Sequence, residues 1–185
     1  RDNEKPALDA ALKSEVDGSM AEDADSDKWY PNLSIKLTYA DNMGVTKLWV
    51  RKDDGDYVLV GSMDGADGST DISNIVPQGK TADGYVKYHF IYSDIAEGSH
   101  TYTFRAEDAD GNQTETEALT AKLDTTVPVM GEVSFDSGYK NLWDWIVRNE
   151  SLQITVPIIE AQSGVEEVAY TLTPADSDGG DVITG

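Results

Sequence analysis

Leu33, Ile35, Leu37 and Tyr39 alternate with Ser34, Lys36 and Thr38, and a period of two puts the four larger side chains on one face of a strand. The pattern recurs along the chain. Val45 to Arg51 predicts the next strand after a turn at Asp41-Asn42-Met43-Gly44, and Tyr57-Val58-Leu59-Val60 returns beyond Asp53-Asp54-Gly55-Asp56, a hairpin signal. In Tyr85 to Tyr92, Val86, Tyr88, Phe90 and Tyr92 share one face, with Lys87 and His89 on the other. After a turn at Glu97-Gly98, His100, Tyr102, Phe104 and Ala106 face a core while Thr101, Thr103, Arg105 and Glu107 face water. Asp110-Gly111 predicts another turn, and Thr114 to Leu123 a polar, Thr-rich last strand on an edge.

Between these strands the pattern is less regular. Arg1 to Pro6 reads as an extended lead-in at an edge, because Pro6 restricts Lys5 and cannot donate to a ladder. Leu8 to Leu12 fits a first strand or a short helical turn. Val16 to Asp27 reads as a polar loop, and Gly61 to Gly84 as the most loop-like region, with one short strand candidate, Asp71 to Val76, ended by Pro77. No segment carries a capped, helix-length period of 3.6. Seven or so short strands at turn-signal spacing predict an all-β sandwich.

Charge narrows the classes of partner. Among 185 residues, 35 Asp and Glu stand against 14 Lys and Arg, a formal net charge of -21 that repels nucleic acid and anionic membranes. There is no Cys, so neither a disulfide framework nor a thiolate metal site is available. No apolar run approaches the roughly 18 residues of a membrane span. The sequence begins at Arg1 without Met or a signal-peptide pattern and closes on Asp181 to Gly185, so it reads as a piece of something longer.

Self-similarity adds a second module. Asp2 and Pro6, Leu33, Ile35 and Leu37, and Gly44-Val45 recur about 120 residues later as Asp124 and Pro128, Leu152, Ile154 and Val156, and Gly164-Val165. Trp29-Tyr30 pairs likewise with Trp145-Ile146, and Leu48-Trp49-Val50 with Val168-Ala169-Tyr170. The order of the matches predicts one module over 1–123 and the N-terminal part of a second over 124–185. Half a sandwich leaves open edges and a wet apolar face.

The run Gly98-Ser99-His100-Thr101-Tyr102-Thr103-Phe104-Arg105-Ala106-Glu107-Asp108-Ala109-Asp110-Gly111-Asn112, followed by Leu123-Asp124-Thr125-Thr126-Val127-Pro128, resembles the end of one bacterial Ig-like repeat and the start of the next. So do Trp145, Leu152 to Val156 and Ser163-Gly164-Val165. The resemblance implies an Ig-like or fibronectin-III-like β-sandwich in tandem, the second copy incomplete. It also implies that Asp110, Gly111 and Asn112 sit in the turn before the last strand and that the Asp-Thr-x-x-Pro phrase links modules. Two features depart from that family: Asp110 stands where Ala is usual, and the first module exceeds the roughly 100 residues of Ig-type sandwiches. The extra length falls in Val16–Asp27 and Gly61–Gly84.

Candidate chemistry is sparse. Asp108, Asp110 and Asn112 have the spacing of the first ligands of a calcium loop, but Gln113 stands where Gly is wanted and Leu119 where the bidentate Glu belongs. Asp and Asn also cap turns, so turn structure is the favoured reading and no metal or cofactor is assigned. The acidic run Glu22 to Asp27 reads first as a solvated loop, with calcium ligation second, and Asp176 to Asp181 as a hairpin loop. His89 and His100 lack a nearby nucleophile pattern, so no catalytic residue is assigned. Trp29, Trp49, Trp143 and Trp145 suit core or inter-module packing more than a sugar-stacking platform, Trp49 being the exception because it alternates away from Leu48 and Val50.

These readings converge on a non-catalytic spacer or adhesion module of a bacterial extracellular, secreted or cell-wall-anchored protein. Its partners would be neighbouring Ig-like modules and a host or cell-wall glycan or protein, with no nucleic acid and no membrane insertion. The alternative is an accessory carbohydrate-binding module of a secreted polysaccharide-degrading enzyme.

Overall fold

The structure, a computed structural model, describes residues 2–14, 22–135, 154–172 and 183–184. The chain divides into two compact units, Arg1–Thr125 and Thr126–Gly185. In chain order the strands of the first are β1 (Ala7–Ser14), β2 (Glu22–Asp23), β3 (Ser34–Ala40), β4 (Val45–Lys52), β5 (Val58–Ser62), β6 (Thr70–Asp71), β7 (Lys87–Tyr92), β8 (Gly98–Asp108), β9 (Gln113–Glu115) and β10 (Leu119–Leu123). One sheet has the order β2-β1-β3-β7, and the other β10-β8-β4-β5-β6, with β9 also paired to β8. All pairings are antiparallel except β5 with β6.

The two sheets meet in one core. Ile35, Leu37 and Tyr39 project from β3, Leu48 and Val50 from β4, and Tyr102, Phe104 and Ala106 from β8, so the period-two pattern becomes burial, except that Thr103, expected to face water, is buried as well. Each fully buried side chain of this size contributes about 1.5–3 kcal/mol relative to exposure. Tyr92 of one sheet meets Tyr102 and Phe104 of the other at centroid distances of 6.0 and 5.5 Å, an aromatic link across the sandwich. Ile72 and Ile95, from loops, complete the cluster.

Of the two readings open for Leu8 to Leu12, the strand holds, in register with Ile35 to Tyr39 of β3. Other elements differ from the sequence expectation. Within the expected polar loop, Glu22 and Asp23 pair with Ser14 and Lys13, and an ion pair between Lys13 and Asp23 holds the contact; residues 15–21 lie outside the described residues. The strand expected over Asp71 to Val76 shrinks to Thr70–Asp71, because the Asp71 carboxylate accepts the Ser73 N–H and the Asn74 amide and bends the chain into a turn. The single last strand is two. Between β9 and β10 the Thr116 hydroxyl accepts the Phe104 N–H at 3.0 Å, replacing a ladder carbonyl where the strand breaks.

In the second unit the described strands are β11 (Val129–Met130), β12 (Ser134–Phe135), β13 (Ile154–Thr155), β14 (Ile158–Ile159), β15 (Thr171–Leu172) and β16 (Ile183–Thr184). They form three two-stranded ladders, β11 with β14, β12 with β13 and β15 with β16. Gly164 has φ 82° and its sequence counterpart Gly44 has φ 92°, a backbone region that favours glycine. Val168-Ala169-Tyr170, aligned in sequence with part of β4, forms no strand. Trp145 and Leu152, also part of that alignment, lie outside the described residues.

Candidate functional site

The turn from β8 to β9 is built around one buried carboxylate. Asp108, 1% exposed, accepts the N–H groups of Asp110 and Asn112 on Oδ1 at 2.9 and 2.8 Å, and the Asn112 amide on Oδ2 at 2.7 Å. Gly111 supplies the φ of 88° that the turn requires. Burial works to raise the Asp108 carboxyl, but the hydrogen bonds from Asn112 and Asp110 outweigh it and hold the group below its ordinary range. Asn112 thus donates to Asp108, and Asp110 accepts the backbone N–H of Asp2. The three residues whose spacing suggested a calcium loop therefore bond to their own turn and to the lead-in.

A different set of acids converges here. One carboxylate oxygen each from Asp2, Asp41 and Asp108 lies within 4.8 Å of the other two. Asp2 comes from the lead-in to β1, Asp41 from the turn joining β3 to β4, and Asp108 from the end of β8, so lead-in and both sheets contribute. Asp41 Oδ2 accepts the N–H groups of Met43 and Gly44 at 2.7 and 2.9 Å, which explains why Asp opens this turn. Burial pushes the Asp41 carboxyl above its ordinary value against those two donors, and the negative charges of Asp108 and Asp2 add to the rise. Three oxygen donors without His or Cys suit a hard cation and not zinc. Sequence reasoning missed Asp2 and Asp41 as site residues, and the only local signal was that each stands at a chain turn or linker.

The other candidates are dispersed. His100, expected to face the core, is half-buried at the start of β8, where its Nδ1 and Nε2 lie 2.8 Å from Asp53 Oδ2 and 3.0 Å from the Glu97 carbonyl. The strand end is where the sandwich opens, so the ring reaches a loop partner instead of a core one. His89 sits on β7, and burial together with Lys36 and Lys87 lowers its pKa from the ordinary value. Asp25 accepts the Asp27 N–H within its own turn. A groove of about 450 Å³ beside β5 is lined by Tyr92, Val60, Lys52, Asp56 and Asp94 among others, with no His, Ser or Cys in its wall. Trp49 is half-buried with the Lys47 ammonium 5.5 Å from its ring, and Trp29 is half-buried beside the Tyr30–Leu123 bridge. Tyr57 is covered by the guanidinium groups of Arg105, at 3.7 Å, and Arg51, at 5.0 Å. Trp143, Trp145 and Asp176 to Asp181 lie outside the described residues.

Compared with protein-family models, curated proteins and solved structures, the chain matches none.

Proposed function

We propose that this chain is a non-catalytic Ig-like spacer or adhesion module of a bacterial extracellular or cell-surface protein. The observation that carries the reading is where the first unit is entered and left. Asp2 donates its N–H to Asp110, two residues beyond the end of β8, whereas Thr125 donates its N–H and hydroxyl to Glu97, one residue before β8 begins. Eleven residues of strand separate these points, about 35 Å at roughly 3.4 Å per residue. A module entered at one end and left at the other transmits length and load in line.

Two details support the Ig-like form. Of the seven longer strands, the first, second and fifth share one sheet and the rest the other, which matches the A-B-E and G-F-C neighbours of Ig-type sandwiches. Tyr102, near the start of β8, accepts the Ala96 N–H on its hydroxyl at 2.8 Å, the bond that marks a tyrosine corner. No disulfide is available, and Tyr92 packs against Phe104 between the two sheets. The placement of the aromatics supports the spacer over the carbohydrate-binding alternative, since Trp29, Trp49 and Tyr57 are half-buried or covered by cationic side chains.

Single-molecule stretching between the two ends of the chain tests the proposal. The spacer reading expects one discrete unfolding event for residues 1–125, lengthening the chain by on the order of 400 Å. Smooth extension at low force with no such event contradicts it.

A further inference from the structure

We propose that the free edge of β7 takes up an extended segment of a partner protein in which acidic and apolar residues alternate, added as a further strand to the first sheet. β7 ends that sheet, with β3 as its one neighbour. The backbone of Lys87 is turned away from β3, since its N–H donates to the Gly79 carbonyl and its carbonyl accepts the Gln78 N–H. That direction alternates along an antiparallel ladder, so the N–H and C=O groups of His89 and Ile91 also point off the sheet. Among the described residues no backbone partner reaches them. The other edges offer less: β2 and β6 have two residues each, and Tyr30 bridges Leu123 along β10.

The edge lacks the features that keep a neighbouring strand away. Neither Pro nor a bulge interrupts β7, whose register with β3 is unbroken over six pairs, and its inward side chains, Tyr88, Phe90 and Tyr92, bring no charge to the seam. The groove of about 450 Å³ opens beside the end of this strand, where Tyr92 lines it with Val50, Val58 and Val60, and Val58 is 61% exposed. Alternate side chains of an added strand point to that side, so apolar residues suit those positions.

Charge selects the outward positions. β3 and β7 together contain no Asp or Glu, although the chain has 35. Lys87 and Lys36, which is opposite Ile91, share the outer face, and Lys80 is bridged to Val86 just before β7. Among the described residues none of the three lysines forms an ion pair. Burial, and then the positive charges of Lys36 and Lys87, lower the pKa of His89. At physiological salt, where charges are screened beyond about 8 Å, this local sign governs what docks, and acidic side chains complement it. A second copy paired through β7 would instead set the same lysines against each other. The proposal goes beyond the spacer reading, and neither depends on the other.

The probe is a capped synthetic peptide of about eight residues in which Glu and Val alternate, titrated into the ¹⁵N-labelled chain at about 0.15 M NaCl. The expected result is saturable binding, with the largest NMR shifts along β7 and slowed hydrogen exchange at His89 and Ile91. Lys36→Glu combined with Lys87→Glu weakens binding about tenfold, whereas Lys122→Glu, on β10 of the other sheet, leaves it unchanged. Ile91→Pro removes one outward N–H and also weakens binding about tenfold or more. Circular dichroism verifies that the variants fold, and if Ile91→Pro does not, the lysine variant carries the comparison. A peptide with its Glu and Val in separate blocks, and one with Lys in place of Glu, are expected not to bind. No saturable shift with the alternating peptide overturns the proposal, and so does equal binding of either control peptide or shifts centred away from β7. Sedimentation showing a dimer that Ile91→Pro or the lysine variant dissociates overturns it as well, because the occupant is then a second copy.

Discussion

In the first unit Ile35, Leu37, Leu48, Tyr102, Phe104 and Ala106 have no exposed surface, while in the second Val129, Met130, Ile159 and Tyr170 each keep more than half of theirs. Apolar strands are present in both. Among the described residues, what differs is the length and number of ladders. β3 is in register with seven residues of β1 and six of β7, so one face of a continuous sheet is offered to its partner sheet. The described ladders of the second unit are two residue pairs each, and none of residues 125–134 and 154–171 is buried. A two-stranded ribbon has no second layer to shed water against, so its apolar side chains gain little from pairing.

The sharpest way to break this contrast is to make equivalent truncations in the two units. Phe104→Ala opens a cavity in the shared core and is expected to cost about 3–5 kcal/mol in urea unfolding, a large fraction of a typical domain's stability. Ile159→Ala, at a side chain 67% exposed, is expected to stay within about 0.5 kcal/mol. A comparable loss from both would show a core in the second unit as well.

Next in size is Tyr102→Phe, which keeps the buried ring and removes only the hydroxyl that accepts the Ala96 N–H. A buried donor left without its acceptor costs about 1–3 kcal/mol. The same urea transition should move by that amount, and no movement would show that the corner is held by packing alone.

How far this could be seen in the sequence depends on range. The faces of β3, β4 and β8 follow from alternation, because a strand's side-chain period is a local property of neighbouring residues. The turn at Asp110-Gly111 was legible for the same reason, since the Asp108 carboxylate accepts the N–H groups of residues two and four ahead of it. The break at Thr116 was not, because it depends on Phe104 in a partner strand twelve residues away. Nor was the meeting of Asp2, Asp41 and Asp108, which no spacing rule joins: the lead-in, one inter-sheet turn and one hairpin are brought together only by the fold. Motif reasoning instead looked along the chain from Asp108 to Asp110 and Asn112, whose side chains serve the turn and the lead-in.

A smaller effect comes from His89, which lies in the unit with the core. Its folded pKa is lowered, chiefly by burial and then by Lys36 and Lys87, so the unfolded chain binds the proton more readily. Its contribution is complete above the ordinary value near 6.5 and declines as pH falls through that value toward the lowered one. His89→Gln should flatten the stability profile of the first unit between about pH 7 and pH 5. An unchanged slope would assign that pH dependence to other groups.

Native-state hydrogen exchange, read amide by amide along the whole chain, tests the contrast most directly. The account predicts that amides of β3, β4 and β8 exchange only through global unfolding, while those of Val129, Met130, Ile158 and Ile159 exchange with little protection and little dependence on urea. Equal protection in both units, lost together at one urea concentration, would contradict it.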